Sequence, residues 1–194
     1  MTTMPTAPAA PSPSSRCPGR LIAGIRQAVA QHAGWPQTAQ LVGEQVRRHL
    51  PGPDILTARE RLGDPSRYQA HLLHVEPDGS FSVLALVWRP GQATTIHDHV
   101  AWGAFAVLQG TECEETFALT PDQIALTPLA ANQNNAGDVS AFAPPGDIHR
   151  IINPTDASVI QLHVYGTDVG RLGTSVRRVY DLPVRGSLTW AAER

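Results

Sequence analysis

The run Thr94-Thr95-Ile96-His97-Asp98-His99 sets two imidazoles two residues apart. In extended backbone, side chains at i and i+2 leave the same face. His97 and His99 therefore aim at one point while Asp98 faces away, and two neutral imidazoles so directed suit a transition metal. Taken alone, the pair also fits two ordinary surface or core histidines. What decides between these readings is whether the surrounding chain builds a scaffold that brings further donors to the same point.

Residues 1–19 are mostly Pro, Ala, Ser and Thr, a composition that buries too little apolar surface to offset the entropy of ordering. They are expected to be a disordered tail ahead of a single domain over 20–194. Leu21, Ile22, Ile25 and Val29 recur at three- and four-residue steps, which predicts a helix over about 20–33. Leu41, Val42, Val46 and Leu50 repeat the pattern until Pro51 and Gly52 stop it, giving a second helix. A short third is expected over 57–62. From about 67 to 185 the texture changes to short β-type runs divided by Gly, Pro and Asn: YQAHLLHV, FSVLALVW, WGAFAVLQG, TECEETFAL, DVSAFA, HRIIN and SVIQLHVY. That rhythm predicts a sandwich or barrel. The expected fold is mainly β, with two or three N-terminal helices packed on it.

Composition narrows the function. Net charge is −2, and all fifteen basic residues are Arg, scattered from Arg16 to Arg194 with no basic stripe; no nucleic-acid role is expected. Cys17 and Cys113 are the only cysteines; with Cys17 in the expected tail, no structural disulfide is expected. Apolar runs such as Val83 to Trp88 fall far short of the roughly 20 residues that span a bilayer. The N-terminus has no apolar core of a secretory signal, so no membrane role and a reducing cytoplasm are expected. Oligomeric state is left open.

A second segment, GDVSAFAPPGDIHRIIN, carries Pro144, Gly146, His149 and Asn153 as P-x-G-x-x-H-x-x-x-N, and Gly91 begins G-x5-H-x-H ahead of His97. These segments resemble the two motifs of the cupin family, whose double-stranded β-helix (jelly-roll) barrel brings both to one metal. The resemblance implies His97, His99 and His149 as ligands. The second motif carries one extra residue between Gly137 and Pro144. The common first motif also supplies a Glu ligand seven residues before a Gly. Counting back from Gly110 lands on Gly103, so the acidic ligand is missing. Three imidazoles without a carboxylate leave open positions for a bidentate substrate and dioxygen, whereas a structural zinc site is more often closed by a fourth protein ligand.

Within the cupins, IHDHVAWG together with APPGDIHRIIN resembles the thiol dioxygenases, the family of cysteine dioxygenase and its bacterial relatives acting on 3-mercaptopropionate. The resemblance covers roughly 68–181. It implies Fe2+ on the three His, a small thiol and dioxygen as substrates, and a sulfinate product. Gly103 replaces the Cys that cross-links to an active-site Tyr in animal members. QLHVYG resembles the family's Ser-x-His-x-Tyr element, implying His163 and Tyr165 as catalytic residues, with Tyr165 donating a hydrogen bond to the reacting groups and Gln161 in place of the Ser. Members selecting 3-mercaptopropionate hold its carboxylate with an Arg beyond the Tyr. That implies Arg178 first, Arg177 as fallback and Arg171 as a weaker choice. Cysteine-selecting members use an upstream Arg where others have Gln; here Gln69 and Ala70 stand near that position and Arg67 is out of register, so a mercapto-carboxylate is expected over cysteine. The alternatives are another three-His cupin enzyme, such as a diketone-cleaving dioxygenase or an isomerase, and a non-catalytic small-molecule-binding cupin.

Overall fold

The computed structural model describes residues 16–187. Residues 1–15 of the expected tail lie outside the described residues, as do 188–194. The end of that expected tail is packed: Arg16 forks onto Glu60 at 2.9 and 2.6 Å, and Cys17 is buried in the main apolar cluster.

α1 (Gly19–Val29) and α2 (Trp35–Arg48) each bury one stripe, Leu21, Ile22, Ile25 and Ala28 on the first and Ala39, Val42 and Val46 on the second. α1 stops short of the expected 33, and His32 beyond it takes a left-handed φ of 51°. Pro in the first turn of α2 suits a helix start, where its missing N–H has no intrahelical partner to lose. The expected third helix is only a 3₁₀ turn, Glu60–Leu62, preceded by another at Pro53–Ile55. No helix among the described residues is long and apolar enough to cross a membrane.

Ten strands follow: β1 (Gln69–Val75), β2 (Ser82–Trp88), β3 (His97–His99), β4 (Gly103–Gln109), β5 (Thr111–Leu119), β6 (Leu126–Asn135), β7 (Val139–Phe142), β8 (His149–Ile152), β9 (Val159–Tyr165) and β10 (Val176–Val179). They form two antiparallel five-stranded sheets, ordered β1-β2-β9-β4-β7 and β10-β3-β8-β5-β6. From β2 to β5 and again from β6 to β10 the chain changes sheet at every step. This is the winding of a double-stranded β-helix, and it carries the mainly β, jelly-roll expectation. The sequence reading did not name β6, whose LTPLAANQNN has weak strand propensity. It survives as an edge strand, and its Pro128 sits beside a register shift opposite Phe117, where a missing N–H is tolerated.

The first sheet is covered on both faces. Val83, Ala85 and Val87 of β2 and Ile160, Leu162 and Val164 of β9 pack with the helices. Leu84, Leu86 and Trp88, with Phe105, Val159 and Tyr165, face the interior between the sheets. A strand buried on both sides reads as a near-continuous apolar run rather than an alternating one, which is why FSVLALVW carries Ser82 as its single polar residue. Truncating a side chain in this layer, as in Leu162→Ala, would cost about 2–5 kcal/mol.

After β9 the chain caps the interior. Asp168 accepts the Arg171 N–H at 3.0 Å to start α3 (Val169–Leu172). Gly173, with φ of 80°, turns the chain out of that helix toward β10.

Candidate active site

β3 and β8 meet through the pair His97↔His149, which places the third imidazole across from the first two. Ring centroids lie 4.8, 4.8 and 5.0 Å apart, and the candidate ligand nitrogens lie within 4.8 Å of one another. Every Nδ1 already has a partner. His97 Nδ1–H donates to Thr95 O at 2.9 Å, His99 Nδ1–H to Asp147 Oδ2 at 3.0 Å, and His149 Nδ1–H to Glu114 Oε1 at 2.8 Å. An oxygen on each Nδ1 fixes the tautomer and leaves Nε2 as the lone-pair nitrogen. Burial, then the two neighbouring imidazoles, pushes His97 down to about 3; burial lowers His99 against the opposing pull of Asp147. Both imidazoles are thus held neutral, the form that ligates metal. This donor set, unpaired on the inner side and anchored on the outer, fits a divalent transition metal.

The nitrogens open on a cavity of about 180 Å³ between the sheets, room for a small molecule. Leu84, Leu86, Trp88, Ile151 and Val169 supply its apolar wall; Thr94, Thr174 and Ser175 are its hydroxyl-bearing residues apart from the tyrosines. Tyr68 stacks on Trp88 with centroids 4.3 Å apart and also lines the space. Tyr165 lies near His99, with ring centroids 5.8 Å apart. Behind it runs a buried chain: Tyr165 Oη to His163 Nδ1 at 2.9 Å, His163 Nε2 to Gln161 Oε1 at 3.1 Å, and Trp88 Nε1 to the same oxygen at 2.8 Å. Burial pushes Tyr165 up to about 12 and His163 down to about 3, so both stay uncharged.

Gly103 sits where the sequence reading noted a missing carboxylate. A Cβ there would lie 2.4 Å from Phe142 Cζ. The Phe142 ring fills that space and stacks on His99 at 4.2 Å.

The structure does not bring the expected substrate-binding residues to the cavity. Arg177 forks onto buried Asp98, which also accepts from Tyr180 Oη at 2.8 Å; this is the face of β3 turned away from the imidazoles. Arg178 is exposed, with its guanidinium 5.5 Å from the Tyr180 ring. A register shift between Val176 and Arg178 breaks the alternation on which the choice between the two rested. The residue that lines the cavity is Val176. Arg171 is exposed on α3. Gln69 pairs with Val87, whose side chain packs toward the helices, whereas Ala70 pairs with Leu86 and lines the cavity. Among the described residues, no Arg lines this cavity.

The sequence reading missed Glu114, Asp147, Phe142 and Trp88. Asp147 had a signal in its place two residues before His149; the others become visible only once β5, β7 and β2 are set against the ligand strands.

The sequence profile described as "Cysteine dioxygenase type I" matches residues 12–171. The chain belongs to the cysteine dioxygenase type I family. It is therefore a cupin thiol dioxygenase, a non-haem iron enzyme type with a metal cofactor, and not a non-catalytic binding cupin. Solved structures similar to it include a cupin superfamily protein from Desulfitobacterium hafniense DCB-2, at 14% identity over 61% of this chain and 90% of that one, TM-score 0.45. Another is a Cupin 2 conserved barrel domain protein from Salinispora arenicola CNS-205, at 24% identity over 61% and 92%, TM-score 0.43. In this chain Gly103 lies under the Phe142 ring, and Gln161 stands two residues before His163.

Proposed function

We propose that this protein is an iron-dependent dioxygenase that converts a small thiol and dioxygen to the sulfinate, with His97, His99 and His149 as the iron ligands. The observation that carries the reading is the trio of imidazoles whose Nδ1 atoms are all engaged by oxygens, so that three lone pairs are turned toward one apolar cavity. Ferrous iron held there supplies an open-sided centre that favours the thiolate and activates dioxygen. In the net reaction two S–O bonds form as the O–O bond breaks, and the sulfur supplies every electron that dioxygen takes up, so no external reductant is required.

The chain's own groups act on position, charge and water. Thr95 O, Asp147 and Glu114 hold the imidazoles oriented, each through its Nδ1. The aliphatic wall and the Tyr68–Trp88 stack keep the reacting sulfur dry, which strengthens each polar contact inside. Tyr165, fixed by His163, offers a polar contact beside His99 and is the proposed catalytic phenol.

For the substrate we propose a mercapto-carboxylate of the 3-mercaptopropionate kind in preference to cysteine. Beyond the thiol, cysteine brings an ammonium and a carboxylate into a cavity whose wall carries no Arg among the described residues; mercaptopropionate brings the carboxylate alone. Each charge left without a partner in an apolar site is costly. Oxygen uptake by iron-loaded protein across 3-mercaptopropionate, cysteine, mercaptosuccinate and cysteamine tests this. The expected order places 3-mercaptopropionate first; cysteine in first place overturns the substrate choice, and no thiol-dependent uptake overturns the reading.

A further inference from the structure

The hydrogen-bond chain behind Tyr165 has a direction, and its far end sets it. An indole N–H donates and never accepts. Trp88 Nε1 lies 2.8 Å from an atom of the Gln161 amide, so that atom must be the carbonyl oxygen. The reversed amide would press two donors together where both side chains are buried, Gln161 at 0% exposure and Trp88 at 1%. The amide's other end, Nε2, is buried with no hydrogen-bond partner, so nothing on that side competes to turn it.

The same oxygen lies 3.1 Å from His163 Nε2. Having no hydrogen of its own, it requires that nitrogen to be the donor. A neutral imidazole carries one N–H, which leaves Nδ1 as the acceptor. Tyr165 Oη, 2.9 Å from Nδ1, is then the donor in that contact.

We propose that Trp88 and Gln161 are positioning residues that hold His163 in its Nε2–H tautomer and thereby commit the Tyr165 proton to His163, so that the phenol meets the substrate as an acceptor. This reverses the donor role that the family resemblance implied for Tyr165. It deepens the reading of the cavity as the substrate site and rests on it. A Ser in the Gln161 position has a hydroxyl that rotates, donating or accepting as its surroundings ask, and so leaves both directions of the chain open. Gln161 against an indole closes one of them. A group on the substrate with a hydrogen to give, such as a thiol on entry, is the partner this arrangement fits.

The test reads the tautomer directly, by long-range 1H–15N correlation of the His163 ring in 15N-labelled protein loaded with diamagnetic zinc(II), with signals assigned by their loss in His163→Gln. Wild type is expected to show the proton on Nε2 and none on Nδ1. Trp88→Phe keeps an aromatic ring but removes the donor, freeing the amide to turn, and an Nδ1–H population is expected to appear. Nδ1–H in wild type, or an unchanged Nε2–H form in Trp88→Phe, overturns the proposal; if Trp88→Phe fails to fold, the wild-type tautomer decides alone. The readout needs no turnover, so absence of thiol-dependent oxygen uptake would count against the functional reading and leave this result standing.

Discussion

Gly103→Ala is the smallest change that probes how Phe142 holds the metal site. The new methyl would meet Phe142 Cζ at 2.4 Å, Cε1 at 2.9 Å and Cε2 at 3.0 Å, all on a ring that cannot fold aside. Phe142 in turn stacks on His99 at 4.2 Å, so relief of the clash must push the ring along the imidazole or open the β4–β7 pairing. Overpacking of this kind costs about 1–3 kcal/mol, or a fall of roughly 2–12 °C in Tm for a chain of this size. Phe142→Ala alone should cost about 2–3 kcal/mol, below the range for a fully buried Phe because this one is half-buried. With the ring gone, Gly103→Ala has room, and restricting the unfolded chain should make it stabilising by about 0.4–1 kcal/mol. The sign of the alanine effect therefore reverses between the two backgrounds. Urea unfolding of the four proteins in a double-mutant cycle measures the coupling, expected at about 1.5–4 kcal/mol. Additive losses would refute the claim that Phe142 occupies the space of the missing side chain.

Asp147→Asn and Glu114→Gln should each lower metal affinity about 10- to 100-fold in chelator competition, since each removes the carboxylate that orients a ligand imidazole. Arg177→Ala should lower stability by about 1–2 kcal/mol through its pair with Asp98 yet leave KM for 3-mercaptopropionate nearly unchanged, and Arg178→Ala should alter neither; a large KM increase in either would return that Arg to the substrate. Asp98 is held below its usual value because the Arg177 and Tyr180 hydrogen bonds outweigh burial, which raises it. Its contribution is present above the unfolded value of about 3.9 and is lost as pH falls through the lower folded one, so the wild-type advantage over Arg177→Ala in thermal unfolding should shrink below about pH 4. His163 has the same proton balance over a higher pH window. Its folded value of about 3 lies below the unfolded one of about 6.5, so the unfolded state takes up the proton first, and His163→Gln should flatten the loss of stability as pH falls between those values.

The ligand strands were legible because His97 and His99 need only the two-residue alternation of a strand to point together, and because His149 stands in a motif of fixed spacing. The doubly covered β2 and β9 were legible as apolar runs, although nothing in those runs states that helices cover one face. The carboxylates on the ligand imidazoles were not legible, because Glu114 reaches His149 only through the β5–β8 register, Glu114↔Ile151 beside Thr116↔His149. The placement of the Arg side chains was not legible for a related reason. Alternation along β10 assumes a regular strand, and the shift between Val176 and Arg178 turns Arg177 onto Asp98 and leaves Val176 to line the cavity. Phe142 escaped notice because a missing side chain at Gly103 does not announce which neighbour fills its place.

If three imidazoles hold an iron at which a thiol gains both atoms of dioxygen, both oxygens of the product come from the gas. Single-turnover reaction of the iron-loaded protein with 3-mercaptopropionate under 18O2, read by mass spectrometry of the product, tests it most directly. Wild type is expected to give a sulfinate carrying two labelled oxygens, and His149→Ala none. A disulfide or other unlabelled product from wild type, or labelled sulfinate at an undiminished rate from His149→Ala, would contradict it.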